Sequence, residues 1–131
     1  MMLDFKWRHF QEDIIIMPVR WYLSYSLSYR DIEELMLERF IEATKQEEKV
    51  LYYGFCFDGD DVHCREAYAD GDGVLAHLDN VGSILNEALQ ISTITRFEMH
   101  GPEKELEKVK EALKDLNPKY MNLQYGFRRP Y

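Results

Sequence analysis

Two aromatic, β-prone runs, LYYGFCFD and VHCREAYAD, meet at the turn-rich tetrad DGDD, residues 58–61. That spacing predicts a β-hairpin, and two strands joined so tightly must be antiparallel neighbours. Whatever flanks the hairpin has to pack on the small sheet it starts. Before it, Ile32, Leu35, Met36, Phe40 and Ala43 recur at helical spacing, predicting a helix from about residue 30 to about Lys49. Ser28 is placed to cap its first turn, with Asp31 near its positive end.

After the hairpin, DGDG at residues 70–73 reads as a turn. Asp72 can cap the helix that follows, along which Leu75, Leu78, Ile84, Leu85 and Leu89 fall on one side. TITRFEMH predicts a strand. Gly101 and Pro102 close it, with Pro102 suited to a first helical position. PEKELEKVKEALKDL is strongly amphipathic through Leu106, Val109, Leu113 and Leu116, and Asn117 and Pro118 stop it. KYMNLQYGF predicts a last strand with Met121, Leu123, Tyr125 and Phe127 on one face. The order from residue 30 is α-β-β-α-β-α-β. One strand in front would complete a split βαβ, ferredoxin-like unit of the α+β class.

Residues 14–27 leave that first strand open. Ile15, Val19, Tyr22 and Leu23 share a helical face, although Pro18 would disturb its second turn. From Tyr22 onward, apolar and polar residues instead alternate at period two, as in a half-buried strand. The helix is the favoured reading, so the expected fold is a ferredoxin-like unit that lacks its first strand behind a helical leader. RWYLSYSL is the segment that could stand in for the strand.

At 46% hydrophobic and 14% aromatic the 131-residue chain can bury a core. The net charge of −8 opposes contact with phosphate backbones unless basic residues gather on one face. Between Asp4 and Arg30 four Lys or Arg meet three acids, a balance of +1, so the asymmetry is small. No segment nears the roughly 20 apolar residues of a membrane helix, and IIIMPV is too short for a signal core. A cytoplasmic protein is expected. Cys56 and Cys64 do not make a disulfide framework. They could face each other across the hairpin, but buried, reduced thiols are the expectation.

FKWRHFQEDIIIMPVRWYLSYSLSYRDIEELMLER, residues 5–39, resembles the amino terminus of the IS-six family of insertion-sequence transposases. The resemblance implies the start of a DNA-binding helix-turn-helix, followed in that family by a DDE catalytic core. It stops at Arg39: the family has Gly next and then the recognition helix, and this chain has Phe40. No stretch resembles the first Asp motif of the core. Asp58, Asp60, Asp61, Asp70 and Asp72 lie in turn sequences, where Asp serves turn geometry, and no metal site is expected.

LYYGFCFDGDDVHCREAY, GVLAHLDNVG, the strand ending in HGP and LNPKYMNLQYGFRR carry a second resemblance. Residues 41–129 look like small proteins related to the antibiotic-biosynthesis-monooxygenase family. That likeness implies a dimeric α/β barrel enclosing an apolar cavity. Two domains are therefore expected, a truncated helix-turn-helix-like segment over 1–39 and a ferredoxin-like barrel domain over 40–131, with the apolar stripe running in phase through the join.

His63, His77 and His100 are the acid–base candidates, since His titrates near neutrality. Tyr53, Phe55, Phe57, Phe97 and Tyr125 are candidate cavity residues. Lys6, Arg8, His9, Arg20 and Arg30 are candidate DNA-phosphate contacts. With no catalytic set legible, the expected function is a non-catalytic homodimeric barrel that binds a small apolar ligand and needs no cofactor, joined to a transposase remnant. The alternatives are a transposase fragment with weak, nonspecific DNA contact and no transposition activity, and a cofactor-independent monooxygenase.

Overall fold

A computed structural model describes residues 19–27, 30–59 and 61–127. Among them the elements run β1 (Val19–Leu27), α1 (Arg30–Thr44), β2 (Val50–Asp58), β3 (Asp61–Tyr68), α2 (Gly71–Ile91), β4 (Ser92–Gly101), α3 (Glu103–Leu113), a 3-10 turn (Lys114–Leu116) and β5 (Lys119–Asn122). The sheet order is β2-β3-β1-β4-β5. Its first four strands have the ferredoxin-like arrangement, and β5 is added parallel to β4.

The helix favoured for residues 14–27 does not form over the described part of that stretch. Val19–Leu27 is a strand, the period-two alternative, and residues 14–18 lie outside the described residues. It runs antiparallel to β3, from Val19 opposite Tyr68 to Ser26 opposite Asp61. On its other side it pairs antiparallel with β4, with a register shift between Ser24 and Tyr25. The first strand of the unit is therefore present, and it is an interior strand. A run of β-branched and aromatic residues gains ladder bonds on both edges there, which an isolated helix interrupted by Pro18 could not match.

The hairpin forms as its sequence predicts, with Gly59 at φ +60° in the turn. Its register sets Cys56 opposite His63 and Cys64 opposite Phe55. Alternation then puts the two thiols on opposite faces of the sheet, Cys64 buried and Cys56 exposed, so they cannot face each other.

One face of the sheet carries the helices. Val62, Cys64 and Tyr68 of β3 and Phe97 and Met99 of β4 pack against Val74 of α2 and Leu106, Val109 and Leu113 of α3. A second cluster joins Phe40 of α1 to Val81, Ile84, Leu85 and Ala88 of α2. Tyr53 and Phe55 touch both clusters. The buried stripe of α2 thus runs through Val74, His77, Val81, Ile84 and Ala88 rather than through Leu75, Leu78 and Leu89, which are half-buried flanks. On α1, Leu35 leaves the expected stripe and is 65% exposed.

Helix ends differ from expectation: α1 stops at Thr44 rather than at about Lys49, and a turn leads from it into β2. Asp70, not Asp72, caps α2: its side chain accepts from the Gly73 backbone N–H at 2.9 Å. Lys49 Nζ holds the same carboxyl at 2.8 Å, and with Gly73 it keeps Asp70 below the usual carboxylate range. Pro102 caps α3 from an extended backbone, and the helix begins at Glu103. Asn117 ends the 3-10 turn in the left-handed region at φ +49°, a conformation Asn tolerates better than most residues. The last strand is only four residues long, so Tyr125 and Phe127 lie beyond it and are 87% and 56% exposed.

Asp70→Ala should lower unfolding free energy by about 1 kcal/mol through loss of the cap. Asp72→Ala should change it by less than about 0.5 kcal/mol. Urea unfolding of the two variants checks the assignment.

Candidate functional site

Alternation along β3 sends Val62, Cys64, Glu66 and Tyr68 to one face, the face that packs on the helices. Three of these suit a core; a glutamate does not, and Glu66 is 2% exposed. Burying a carboxylate is tolerable only where donors meet it, and here three do. The Tyr68 hydroxyl donates to Glu66 Oε1, and the Cys64 thiol donates to Oε2 at 3.1 Å. His77 of α2 brings its Nε2 to 3.2 Å from Oε1.

The other nitrogen of that imidazole is also taken. His77 Nδ1 lies 2.8 Å from Glu47 Oε2, in the turn between α1 and β2. Asn80, one turn along α2, donates from Nδ2 to the same Glu47 oxygen at 2.9 Å and to the Ala43 carbonyl at 2.8 Å. It therefore ties the turn to the helix while fixing the carboxylate. The Tyr53 and Tyr68 rings flank the imidazole with centroids at 5.4 and 5.3 Å. Tyr53 meets Phe55 edge-on at 5.4 Å, and Phe55 continues to Phe40 at 6.3 Å. The result is a charged array set into an aromatic wall between the helices and the sheet.

Burial alone would pull the His77 pKa down. Hydrogen bonds and charge from Glu47 and Glu66 together outweigh it and raise the pKa from 6.5 to about 9. At neutral pH the ring is an imidazolium between two carboxylates. Burial, with Glu66 next to them, pushes Cys64 and Tyr68 well above their ordinary values, so both stay protonated donors.

Of the three candidate histidines, only His77 joins this array. His100 lies on the other face of the sheet, where its Nε2 is 2.9 Å from Glu98 Oε1 and Arg96 Nε donates to Glu98 Oε2 at 2.8 Å. His63 is half-buried on that same face, opposite Cys56. Among the cavity candidates, Tyr53 and Phe55 flank the array and Phe97 is buried in the core. Phe57 stands 39% exposed near the hairpin tip, and Tyr125 does not join the interior. Lys6, Arg8 and His9 lie outside the described residues. Arg20 occupies an interior register position between Ala67 and His100, and Arg30 opens α1. Among the described residues no group of three or more His, Cys, Asp or Glu side chains is arranged to hold a metal ion, and no helix is long and apolar enough to cross a membrane.

Glu47, Glu66 and Asn80 are absent from the sequence-derived candidates. Glu66 was findable: it shares strand parity with Val62, Cys64 and Tyr68, which marks an acid aimed into a core. Glu47 was not, because it sits in the run QEEK and looks like solvated charge.

No family model matches the chain. The crystal structure of MupZ from Pseudomonas fluorescens is 36% identical, over 86% of this chain and 89% of MupZ, with a TM-score of 0.80. The chain belongs to the MupZ family. That coverage is more than residues 40–131 alone could supply, so the likeness to MupZ continues upstream of Phe40. SnoaB, a cofactor-independent oxygenase from Streptomyces nogalater, shares the fold alone: 11% identity over 62% of this chain and 88% of its own, with a TM-score of 0.55. The MupZ-like unit thus has the antibiotic-biosynthesis-monooxygenase type of fold. The amino-terminal resemblance holds as well. The transposase of insertion sequence-like element IS431mec from Staphylococcus aureus is 49% identical over 35 residues, 27% of this chain. The chain spans only 16% of that transposase's length.

The His77 contribution to stability has a defined sign. The folded-state pKa lies above the unfolded one, so the stabilisation is complete below about pH 6.5 and is lost as pH rises through about 9. A rise of this size is on the order of 3 kcal/mol. Urea unfolding at pH 6, 7.5 and 9.5 should show that loss in the wild type, and His77→Asn should remove most of the pH dependence over this range.

Proposed function

We propose that the chain binds a small, largely apolar organic molecule between its helices and sheet and moves a proton on it with the Glu47–His77–Glu66 array. The carrying observation is the buried imidazole between two carboxylates at 2.8 and 3.2 Å. An array of this kind supplies both partners of acid–base chemistry: a carboxylate that takes a proton from an acidic O–H or C–H, and a nearby cation that steadies the charge left behind. Structural ion networks also exist in cores. Four elements converge on this one, and the rings of Tyr53 and Tyr68 beside it give it an apolar setting suited to a ring-sized guest. On this reading the module is an acid–base enzyme rather than the non-catalytic binder expected from sequence.

The test is proton exchange in D2O. Phenols and 1,3-dicarbonyl compounds are incubated with the protein, and deuterium uptake at acidic carbon positions is read by mass spectrometry. The wild type should accelerate exchange for at least one class over buffer, and His77→Asn should lose about 100-fold or more of that acceleration. Exchange at the buffer rate across the panel would remove the proposal.

One observation favours a second reading. SnoaB is a cofactor-independent oxygenase of the same fold, and deprotonating a phenol is the step that lets a substrate itself reduce O2. Oxygen uptake with those phenols separates the oxygenase from simple proton transfer.

A second copy of the chain is the partner we propose. On the sheet face away from the helices, Tyr52 and Met121 stand 40% and 39% exposed toward the two edges of the sheet. Native mass spectrometry should record a dimer at micromolar concentration. A monomer across that range would reject the pairing.

A further inference from the structure

The two carboxylates of the array hold the same imidazole and are not equivalent. Glu66 has both oxygens engaged: Tyr68 and His77 on Oε1, Cys64 on Oε2. Glu47 puts its partners on one oxygen. Oε2 faces His77 Nδ1 and Asn80 Nδ2, while Oε1 is buried without a hydrogen-bond partner among the described residues. The Glu47 side chain is only 9% exposed. Three residues earlier, Thr44 Oγ1 is likewise buried and unpartnered, on a residue 3% exposed. The Glu47 N–H donates to the Thr44 carbonyl at 3.0 Å, so both groups belong to one hydrogen-bonded turn.

A buried polar atom left without a partner costs about 1–3 kcal/mol, and more when charged. Two on a single turn, at the edge of the charged array, call for one explanation. Their chemistry defines the complement. A carboxylate oxygen only accepts, whereas a threonine hydroxyl both donates and accepts. A single O–H group placed between them would satisfy both, giving its proton to Glu47 and receiving the Thr44 hydrogen on its oxygen. An anionic guest is disfavoured, because Glu47 and Glu66 would repel it.

We infer that the Thr44–Glu47 turn binds the O–H group of a neutral phenol or alcohol, or of a water molecule, and that Glu47 is the base of the site while Glu66 positions His77. This rests on the proton-transfer reading above. In the step itself the O–H bond breaks and a Glu47 Oε1–H bond forms. The electron pair stays on the guest oxygen, or on the attacking oxygen when the guest is water. Glu66 has a donor on each of its oxygens, whereas Glu47 Oε1 has none among the described residues, which makes Glu47 the more available acceptor.

Three probes with the same ring test it: phenol, toluene and benzoate, titrated against the protein labelled with 13C at the glutamate carboxyl carbons. Wild type should bind phenol at least about fivefold tighter than toluene, with benzoate weakest, a preference of the size one buried hydrogen bond gives. Phenol should shift the Glu47 carboxyl resonance and leave that of Glu66 in place. Thr44→Val should reduce the phenol-to-toluene ratio about threefold and Thr44→Ser should restore it, which a purely structural threonine would not do. Equal affinity for phenol and toluene with no bound water at Thr44, or a shift at Glu66 instead of Glu47, would overturn the inference, and so would a phenol preference that Thr44→Val leaves unchanged. Water-to-protein NOEs at Thr44 distinguish the sources. A bound water that phenol displaces means that the guest supplies the O–H, and one that persists beside phenol assigns it to water. The two readings fail separately. Phenol preference without deuterium exchange removes the proton-transfer function alone. Exchange that depends on His77 but survives Glu47→Gln removes the Glu47 assignment alone.

Discussion

A charged imidazole cut off from water is stable only when both of its N–H groups are met. His77 does so with carboxylates from two different parts of the chain, Glu47 before β2 and Glu66 within β3. Each partner is in turn held. Tyr68 and Cys64 occupy Glu66, and Asn80 occupies Glu47 and the end of α1. The set links α1, α2 and the hairpin at one point. Removing the imidazolium would leave two buried carboxylates without their shared counter-charge, which is costlier than never having buried the set. Apolar side chains of similar volume could hold these elements together at no desolvation cost, so stability alone does not require a charged network at this point.

The central strand of the sheet comes from the stretch of the chain that resembles a transposase. What β1 needs there is alternation and β-prone side chains, and VRWYLSYSL has both. Sheet pairing reads that pattern and not ancestry. The same tolerance holds in α1, which spans the point at which the transposase words end. Met36, Phe40 and Ala43 keep helical spacing across it and pack against α2. The buried array uses no residue before Ala43. Its residues therefore lie wholly in the sequence that the monooxygenase-type words cover, while the preceding stretch contributes a strand and the start of α1.

How much was legible follows from the range of each signal. The hairpin, the amphipathic α3 and the strand over TITRFEMH were plain because their periodicity is complete within a few residues. The segment before Arg30 carried two periods at once, and propensity could not choose between them. Pairing on both edges chose the strand. The cap of α2 was misplaced by two residues because Asp70 and Asp72 sit in equivalent Asp-Gly contexts; only the Gly73 N–H and Lys49, neighbours in space, separate them. Tyr125 and Phe127 continue the alternation of β5, yet the strand ends at Asn122, short of both.

By itself the sequence determined the order of the elements from residue 30 onward and the hairpin, since local periodicity and turn chemistry decide these; the first strand, which completes the split βαβ unit, was decided by pairing in space. Only the tertiary structure decided which charged residues matter. Glu47, Glu66 and His77 are separated by up to 30 positions and look, one at a time, like a surface acid, a strand acid and a helix histidine. Their meaning comes from shared burial, where loss of water makes each dependent on the others, and burial is a property of the packed chain that no local pattern encodes.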